Sequence, residues 1–445
     1  MEAYSSPTTN AQSGQSDLLT PVAPVRRAWI ALAILCCVYI LNFLSRQLPA
    51  ILAKPIQDDL HVSDAELGLI GGFYFALFYC CISIPVGWLA DKTNRTRILA
   101  AACAIWSVAT MCCGVAASYL EFVFAYMTVG FGEAGGVPPS YSIITDYFPA
   151  GRRGTALGLF NLGPGIGAAL GIAFGASIAA AFNWRYAFVL LGAAGIFAAV
   201  AVFVFVREPR RGGLDRIPDQ AAKGSSEFRQ TFAMFFSRPP LLLAALGSGA
   251  TQFITYGLSN FTVLFLMREK GMGLRQVAAW YSLVVLIGMS GSMFLSGRLI
   301  DRFTRVSKRA YALIPAASLS IAIPFYLGFV RVSSWPMALL FLVVTIFLNY
   351  FYLSSAVTFV QEEVRPDQRV MSGALLLLVM NFIGLGLGPT FVGAASDFFR
   401  KNHPNHPLQM ALYALAPFYV IAILLFLKLA DVLRKESSSD GEIVQ

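Results

Sequence analysis

An all-α membrane protein of twelve spanning helices in two related six-helix halves is what this sequence predicts, and three observations carry the prediction. Of its 445 residues, 57% are hydrophobic and 13% charged, a balance far from that of a water-soluble chain. Apolar runs of about 20 residues, each long enough to cross a ~30 Å hydrocarbon core, recur along almost the whole length. The second half also repeats landmarks of the first at a near-constant offset.

The spans read 28–53, 66–90, 97–117, 120–147, 154–181 and 185–206, then 239–267, 276–300, 310–330, 336–360, 371–396 and 408–431. They are numbered helices 1 to 12. Residues 1–27 form a polar amino-terminal tail, rich at first in Ser, Thr, Gln and Pro, so the first apolar run reads as a retained helix rather than a cleaved signal. Residues 28–206 and 239–434 are the two bundles, 207–238 a polar linker, and 435–445 a serine-rich tail expected to be disordered.

An even helix count puts both termini on one side. Lys and Arg in short loops resist translocation, and most of them, from Arg26 and Arg27 through Arg152, Arg305 and Lys308 to Arg434 and Lys435, fall on the side of the termini. That side is assigned to the cytoplasm of a bacterial inner membrane. The opposite loops hold Lys54, Arg185, Arg268, Lys270, Arg275, Arg331, Arg400 and Lys401, partly offset by Asp58, Asp59, Asp64 and Glu66. The net charge of +9 is therefore juxtamembrane, which points to lipid headgroups as partners and away from nucleic acid.

Several chemistries are excluded. The seven cysteines, Cys36, Cys37, Cys80, Cys81, Cys103, Cys112 and Cys113, lie inside apolar runs without metal or disulfide spacing. His61, His403 and His406 lie in loops with no ligand constellation. There is no phosphate-binding loop of the Gly-x4-Gly-Lys-[Ser/Thr] kind and no nucleophile–base arrangement, so neither a cofactor, nor ATP, nor enzymatic catalysis is expected.

The internal repeat is explicit. Helix 2 ends Gly87-Trp-Leu-Ala-Asp91-Lys92-Thr-Asn-Arg95 and helix 8 ends Gly297-Arg-Leu-Ile-Asp301-Arg302, 210 residues further on. Pro149-Ala-Gly-Arg152-Arg153 precedes helix 5 as Pro366-Asp-Gln-Arg369 precedes helix 11, and each leads to a glycine-rich stretch, Gly163-Pro164-Gly-Ile-Gly167 and Gly384-Leu-Gly386-Leu-Gly388-Pro389. This indicates two parallel repeats.

The Gly-x-Leu-x-Asp-[Lys/Arg] element after helix 2, with its copy after helix 8, resembles the signature of the major facilitator superfamily over residues 28–434. The resemblance implies a secondary transporter and a cytoplasmic gate. Gly87 would let helices approach, Asp91 would face the amino end of helix 11, and Lys92, Arg95 and Arg153 would extend the charge network. Asp301 and Arg302 would meet the start of helix 5 near Gly154 and Thr155. The alternative for these charges is loop anchoring alone.

Ionisable groups inside the spans are rare, because a charge at the bilayer centre costs about 2.5–3.5 kcal/mol even on insertion scales. Arg46 lies well inside helix 1, in Asn42-Phe-Leu-Ser45-Arg46-Gln47, and Glu133 inside helix 4, in Gly130-Phe-Gly132-Glu133-Ala134. Arg46 keeps its charge and suits an anionic substrate group or a pair with Glu133; Glu133 can titrate and is the candidate proton carrier. A fixed structural ion pair is the alternative. The helix 4 stretch, Arg46 and Trp106-Ser107 look most like the spinster group of lipid transporters. Two departures stand out: Ser45 where that group usually has Asp, and Tyr126 where it usually has Arg.

In the second half Gln252, Tyr256 and Asn260 recur at i, i+4, i+8 and share one helical face. That face is expected to line the cavity with Asn349, Tyr352 and Asn381, and interhelical hydrogen bonding is the alternative for each. Three functions fit a monomeric chain of this kind. One is transport of a lipid-like amphiphile, lysolipid or sphingoid, with protons coupled through Glu133. Another is transport of small organic anions or drugs, and the last is a non-transporting sensor.

Overall fold

The computed structural model describes residues 25–209, 228–365 and 368–442, and every regular element among them is helical. Helix 1 runs Val25–Ile51, helix 3 Arg95–Val115, helix 6 Trp184–Phe205, helix 7 Pro239–Arg268 and helix 9 Ala310–Arg331. Eleven helices of the described residues are long and apolar enough to cross a membrane. Helix 4 makes the twelfth, in two pieces, Tyr119–Glu133 and Val137–Tyr147. Pro138 and Pro139 have no N–H to return to the preceding turn, so the helix is interrupted at residues 134–136. The interruption falls directly after Glu133.

The duplicated sequence folds into duplicated irregularities. Helix 10 breaks where helix 4 does, into Trp335–Asn349 and Phe351–Glu363. Helix 5 breaks into Ala150–Phe160 and Gly163–Ala181, at the Gly163-Pro164 step. Helix 2 (Asp64–Leu69, Ile70–Tyr74, Phe75–Lys92) and helix 8 (Leu274–Gln276, Val277–Tyr281, Ser282–Phe303) each carry one widened π turn as their middle segment. Helix 11 carries another at Asn381–Leu387, between Arg369–Met380 and Gly388–Arg400. Such turns are frequent at functional sites.

Two segments differ from the sequence reading. Helix 12 runs Pro407–Glu442, so residues 436–442 continue a helix where a disordered tail was expected. No proline interrupts it there, and Asp431 pairs with Arg434 and Lys435 one turn on, at 2.6 and 2.9 Å. Within the linker, residues 210–227 lie outside the described residues, while Phe228–Ser237 is a helix whose Thr231 and Phe235 are fully buried.

The halves meet where helix 2 packs on helix 11, helix 5 on helix 8 and helix 1 on helix 7. Helices 2 and 11 touch backbone to backbone. A Cβ on Gly68 would stand 2.4 Å from the Pro389 carbonyl oxygen, and one on Gly393 only 2.2 Å from that of Asp64. Further along, towards the linker, nothing lies within 4 Å of where a Cβ on Gly87, Gly158 or Gly297 would be. The two bundles are thus closed on each other at the Asp64 end, while these glycines face open space at the other.

Gly393→Val is expected to open the Asp64 end. Overpacking costs about 1–3 kcal/mol, so the ratio of closed to open molecules should fall by about tenfold, at ~1.4 kcal/mol per decade. Spin labels on His61→Cys and His403→Cys, in a background lacking the seven native cysteines, should then report longer inter-half distances, and an unaltered distribution would contradict the packing described.

Candidate functional site

Helix 4 is drawn tightly against helix 3, since a Cβ on Gly132 would stand 2.6 Å from the Trp106 backbone nitrogen. The next side chain, Glu133, is held against helix 1. Arg46 Nε donates to Glu133 Oε2 at 2.5 Å, with Glu133 fully buried and the Arg46 side chain 10% exposed. The Ser45 hydroxyl lies 2.7 Å from both Glu133 Oε1 and the Asn42 carbonyl, donating to one at a time. Both departures from the spinster pattern therefore sit at this pair, with Ser45 on the carboxylate and Tyr126 on the same cavity wall as Arg46.

The guanidinium is surrounded by π faces, with the centroids of Phe43, Phe75 and Tyr79 at 4.9, 5.3 and 4.7 Å. Such contacts stabilise a desolvated cation by about 0.5–2 kcal/mol each. Nη2 is buried and has no hydrogen-bond partner.

Arg46 forms part of the wall of a small cavity between the halves, of about 30 Å³. Phe43, Gln47, Phe75 and Tyr126 of the first half face Tyr256, Ser259, Asn260 and Leu385 of the second. A second cavity, also of about 30 Å³, lies beside it and is lined mainly by helices 7, 8 and 10. Gln47 and Ser259 line both.

Of the residues singled out in the sequence, Arg46, Tyr126, Tyr256 and Asn260 come together in the first cavity and Asn349 lines the second. Asn42, Ser45 and Glu133 stand behind Arg46. Gln252 and Asn381 line neither cavity, because Gln252 Nε2 donates to Asn381 Oδ1 at 2.9 Å and ties helix 7 to helix 11. Tyr352 is buried away from both. Gln47, Ser259, Thr262 and Tyr281 line the cavities without having been singled out. Gln47 beside Arg46 and Ser259 beside Asn260 were polar residues inside apolar spans, and so detectable in the sequence.

The strongest contact between the halves was not foreseen. Asp64, fully buried, accepts from Arg268 Nη1 and Nη2 at 2.8 and 2.9 Å, Arg400 Nη2 at 2.6 Å, Ser396 Oγ at 2.6 Å and Gln57 Nε2 at 2.7 Å. In return Asp397 accepts from the Ala65 backbone nitrogen at 2.7 Å, in the first turn of helix 2, where the helix dipole favours an anion. One carboxylate of the first half thus clamps two arginines of the second.

At the opposite end Arg95 is buried within the first half, donating to Asp146, Glu208 and Ser142 at 2.6 Å each. Arg153 Nε donates to the Thr145 and Phe148 carbonyls at 2.8 Å. Lys92, Asp301 and Arg302 are exposed, and Gly87 and Gly297 face open space. The side chain of Asp91, like the surroundings of Gly154, falls outside the described residues.

A sequence model of the Major Facilitator Superfamily matches residues 35–389. The chain is 30% identical over 391 residues to an MFS-type efflux pump of Mycolicibacterium smegmatis, covering 88% of this chain and 89% of that one. It is 25% identical over 416 residues to protein spinster homolog 1 of Xenopus tropicalis, covering 89% and 78%. Among solved structures it is similar to a bacterial homolog to the human lysosomal transporter Spinster in an inward-facing, unoccupied conformation. That TM-score is 0.85, with 29% identity and coverage of 93% of this chain and 99% of that one.

Breaking a buried ion pair from one side strands the other charge, at about 3–5 kcal/mol, whereas replacing both partners with apolar residues is often neutral. Arg46→Met should therefore lower the thermal unfolding midpoint more than the double variant Arg46→Met/Glu133→Leu. A double variant less stable than the single one would show that the two side chains do not depend on each other.

Proposed function

The chain belongs to the major facilitator superfamily, and from that premise we propose that it is a proton-coupled secondary transporter of lipid-like anionic amphiphiles, lysolipid or sphingoid in kind. The observation that carries the proposal is the Arg46 guanidinium on the cavity wall, with one edge on Glu133 and Nη2 unbonded. It offers an anionic head a charge-assisted donor in low-dielectric surroundings, where such bonds are strongest.

Charge balance then links the proton to the cargo. Arg46 and Glu133 together are neutral while the acid is ionised. An anion joining them would leave a net negative charge in an apolar bundle, which is costly to keep there. A proton on Glu133 restores neutrality and frees the guanidinium for the anion. Cargo and proton therefore bind together and leave together, and Ser45, which carries no charge, leaves Glu133 as the carboxylate that does this.

Alternating access completes the cycle. The Lys- and Arg-rich side is taken as cytoplasmic, with both termini there and the membrane that of a bacterial cell. The Asp64 clamp then closes the external side in the conformation described. When the halves rock the other way, the Gly87–Asp91–Lys92 and Gly297–Asp301–Arg302 elements, with Arg95 and Arg153, form the cytoplasmic gate. Each half supplies one wall of the cavity, so a monomer suffices.

A second reading is export of hydrophobic drugs, favoured by the 30% identity to an efflux pump. A neutral drug needs neither Arg46 nor Glu133, and a sensor would bind without exchange.

Decanesulfonate separates these readings, because it remains a monoanion across the working pH range and any pH dependence belongs to the protein. In proteoliposomes, wild type should show counterflow that strengthens as pH falls. Glu133→Gln, a mimic of the protonated acid, should bind the sulfonate with no pH dependence, and Arg46→Ala should weaken binding at least about tenfold, ~1.4 kcal/mol. Unchanged pH dependence in Glu133→Gln removes the proton from that residue, and unimpaired binding in Arg46→Ala removes the anion site.

A further inference from the structure

We infer that the outer seam between helices 3 and 4 is a binding site for one bilayer phospholipid with a primary ammonium head, its acyl chain in the seam and its ammonium on Glu121. A groove of about 770 Å³ runs along this seam, lined by residues 104–116 on one side and 121–128 on the other. It shares no lining residue with the two cavities between the halves. The inference therefore stands apart from the transport reading above.

The sequence leaves a hollow here because the floor is alanine. Ala109 and Ala116 are buried and Ala104 and Ala125 half-buried, whereas Val108, Val115 and Phe124 stand 51%, 70% and 66% exposed along its sides. The one hydroxyl in the lining, that of Thr128, donates to the Phe124 carbonyl of its own helix, so hydrocarbon can fill the groove without stranding a polar group. At 1.5 Å per residue, the stretch from 104 to 116 measures about 18 Å, against about 15 Å for one leaflet of a ~30 Å core. One acyl chain of one leaflet thus fits lengthwise, with its head where the chain turns from helix 3 into helix 4. That turn is at the Asp64 end of the bundle.

Charge at that turn specifies the head. Glu121 is the one charged residue in the lining. It is exposed, in the first turn of helix 4, and its Oε2 accepts from the Ala117 backbone nitrogen at 2.8 Å. That bond holds the carboxylate at the mouth of the groove and takes up one of its roughly four acceptor positions. On the other side of the turn Arg185 donates to the Ala116 carbonyl at 2.9 Å and is paired with Asp59. Arg185 and Asp59 cancel, and Glu121 leaves the turn net negative. An anionic head is repelled there. A trimethylammonium head brings charge but no N–H, whereas a primary ammonium brings charge and three donors, and hydrogen bonds between charged groups are the stronger kind.

The test places the full-length protein in nanodiscs of equal parts phosphatidylethanolamine, phosphatidylcholine and phosphatidylglycerol with identical acyl chains, and counts the lipids retained on extraction by native mass spectrometry. Phosphatidylethanolamine should be retained about fivefold over either competitor, ~1 kcal/mol, as befits one exposed ion pair. Glu121→Gln keeps an acceptor for Ala117 but not the charge, and should abolish the preference. Cys112→Trp fills the groove from an exposed position and should lower the retained lipid by one molecule per chain. Should the tryptophan variant fail to fold, Cys112→Leu should lower it in part. Equal retention of the three lipids, a preference that survives Glu121→Gln, or retention unaffected by the Cys112 variant overturns the site. A lipid-free dimer that the Cys112 variant converts to monomer gives the groove to a second copy of the chain, and overturns it equally.

Discussion

A guanidinium and a carboxylate held 2.5 Å apart inside an apolar bundle constrain most of what surrounds them. Neither charge is tolerable there alone, so the helices that bear them must stay in register. Gly132 draws helix 4 against helix 3, the interruption after Glu133 ends the helical segment there, and Ser45 takes up the second carboxylate oxygen. The π faces of Phe43, Phe75 and Tyr79 accommodate the cation without adding charge. What remains is a neutral unit with one buried donor, Arg46 Nη2, left without a hydrogen-bond partner. Its neutrality makes it stable, and the ease of disturbing that neutrality by a proton or an anion makes it chemically useful.

The two ends of the bundle have unequal means of closing. At one, Asp64 gathers Arg268, Arg400, Ser396 and Gln57, and helices 2 and 11 touch through glycine. At the other, Gly87 and Gly297 have no close neighbour, and the buried Arg95 is occupied within its own half. A closed clamp opposite an open face is the arrangement that rocking about a central cavity requires. The π turns in helices 2, 8 and 11 and the breaks in helices 4, 5 and 10 supply backbone irregularity where continuous helices would be stiff.

Much of this was legible in the sequence for one reason, that bilayer burial is expensive for charge. Arg46 and Glu133 were conspicuous because almost nothing else in the spans carries charge, and they do pair, with Arg46 on the cavity wall and Glu133 behind it. The duplicated motifs gave the halves, whereas the break at Pro138-Pro139 lies inside a span read as continuous, 120–147. The helix 7 stripe misled because periodicity identifies a face and not its neighbour. Helix 7 is 83% buried across its apolar window, so almost every face meets protein, and Gln252 turns to helix 11 while Tyr256 and Asn260 turn to the cavity. The Asp64 clamp joins residues 204 and 336 positions apart, whose charges in sequence look like ordinary loop charges. The continued helix 12 escaped because serine-rich composition outweighed the ion pairs of Asp431.

The buried pair also decides what a transport event must carry. If Arg46, Glu133 and the bound anion are together neutral throughout the cycle, each monoanion crosses with a proton and no net charge moves. Simultaneous recording of membrane current and external pH after a decanesulfonate jump onto proteoliposomes measures this directly. Uptake of about one proton per sulfonate with negligible current is the predicted result, and a sustained inward movement of negative charge without proton uptake would contradict it.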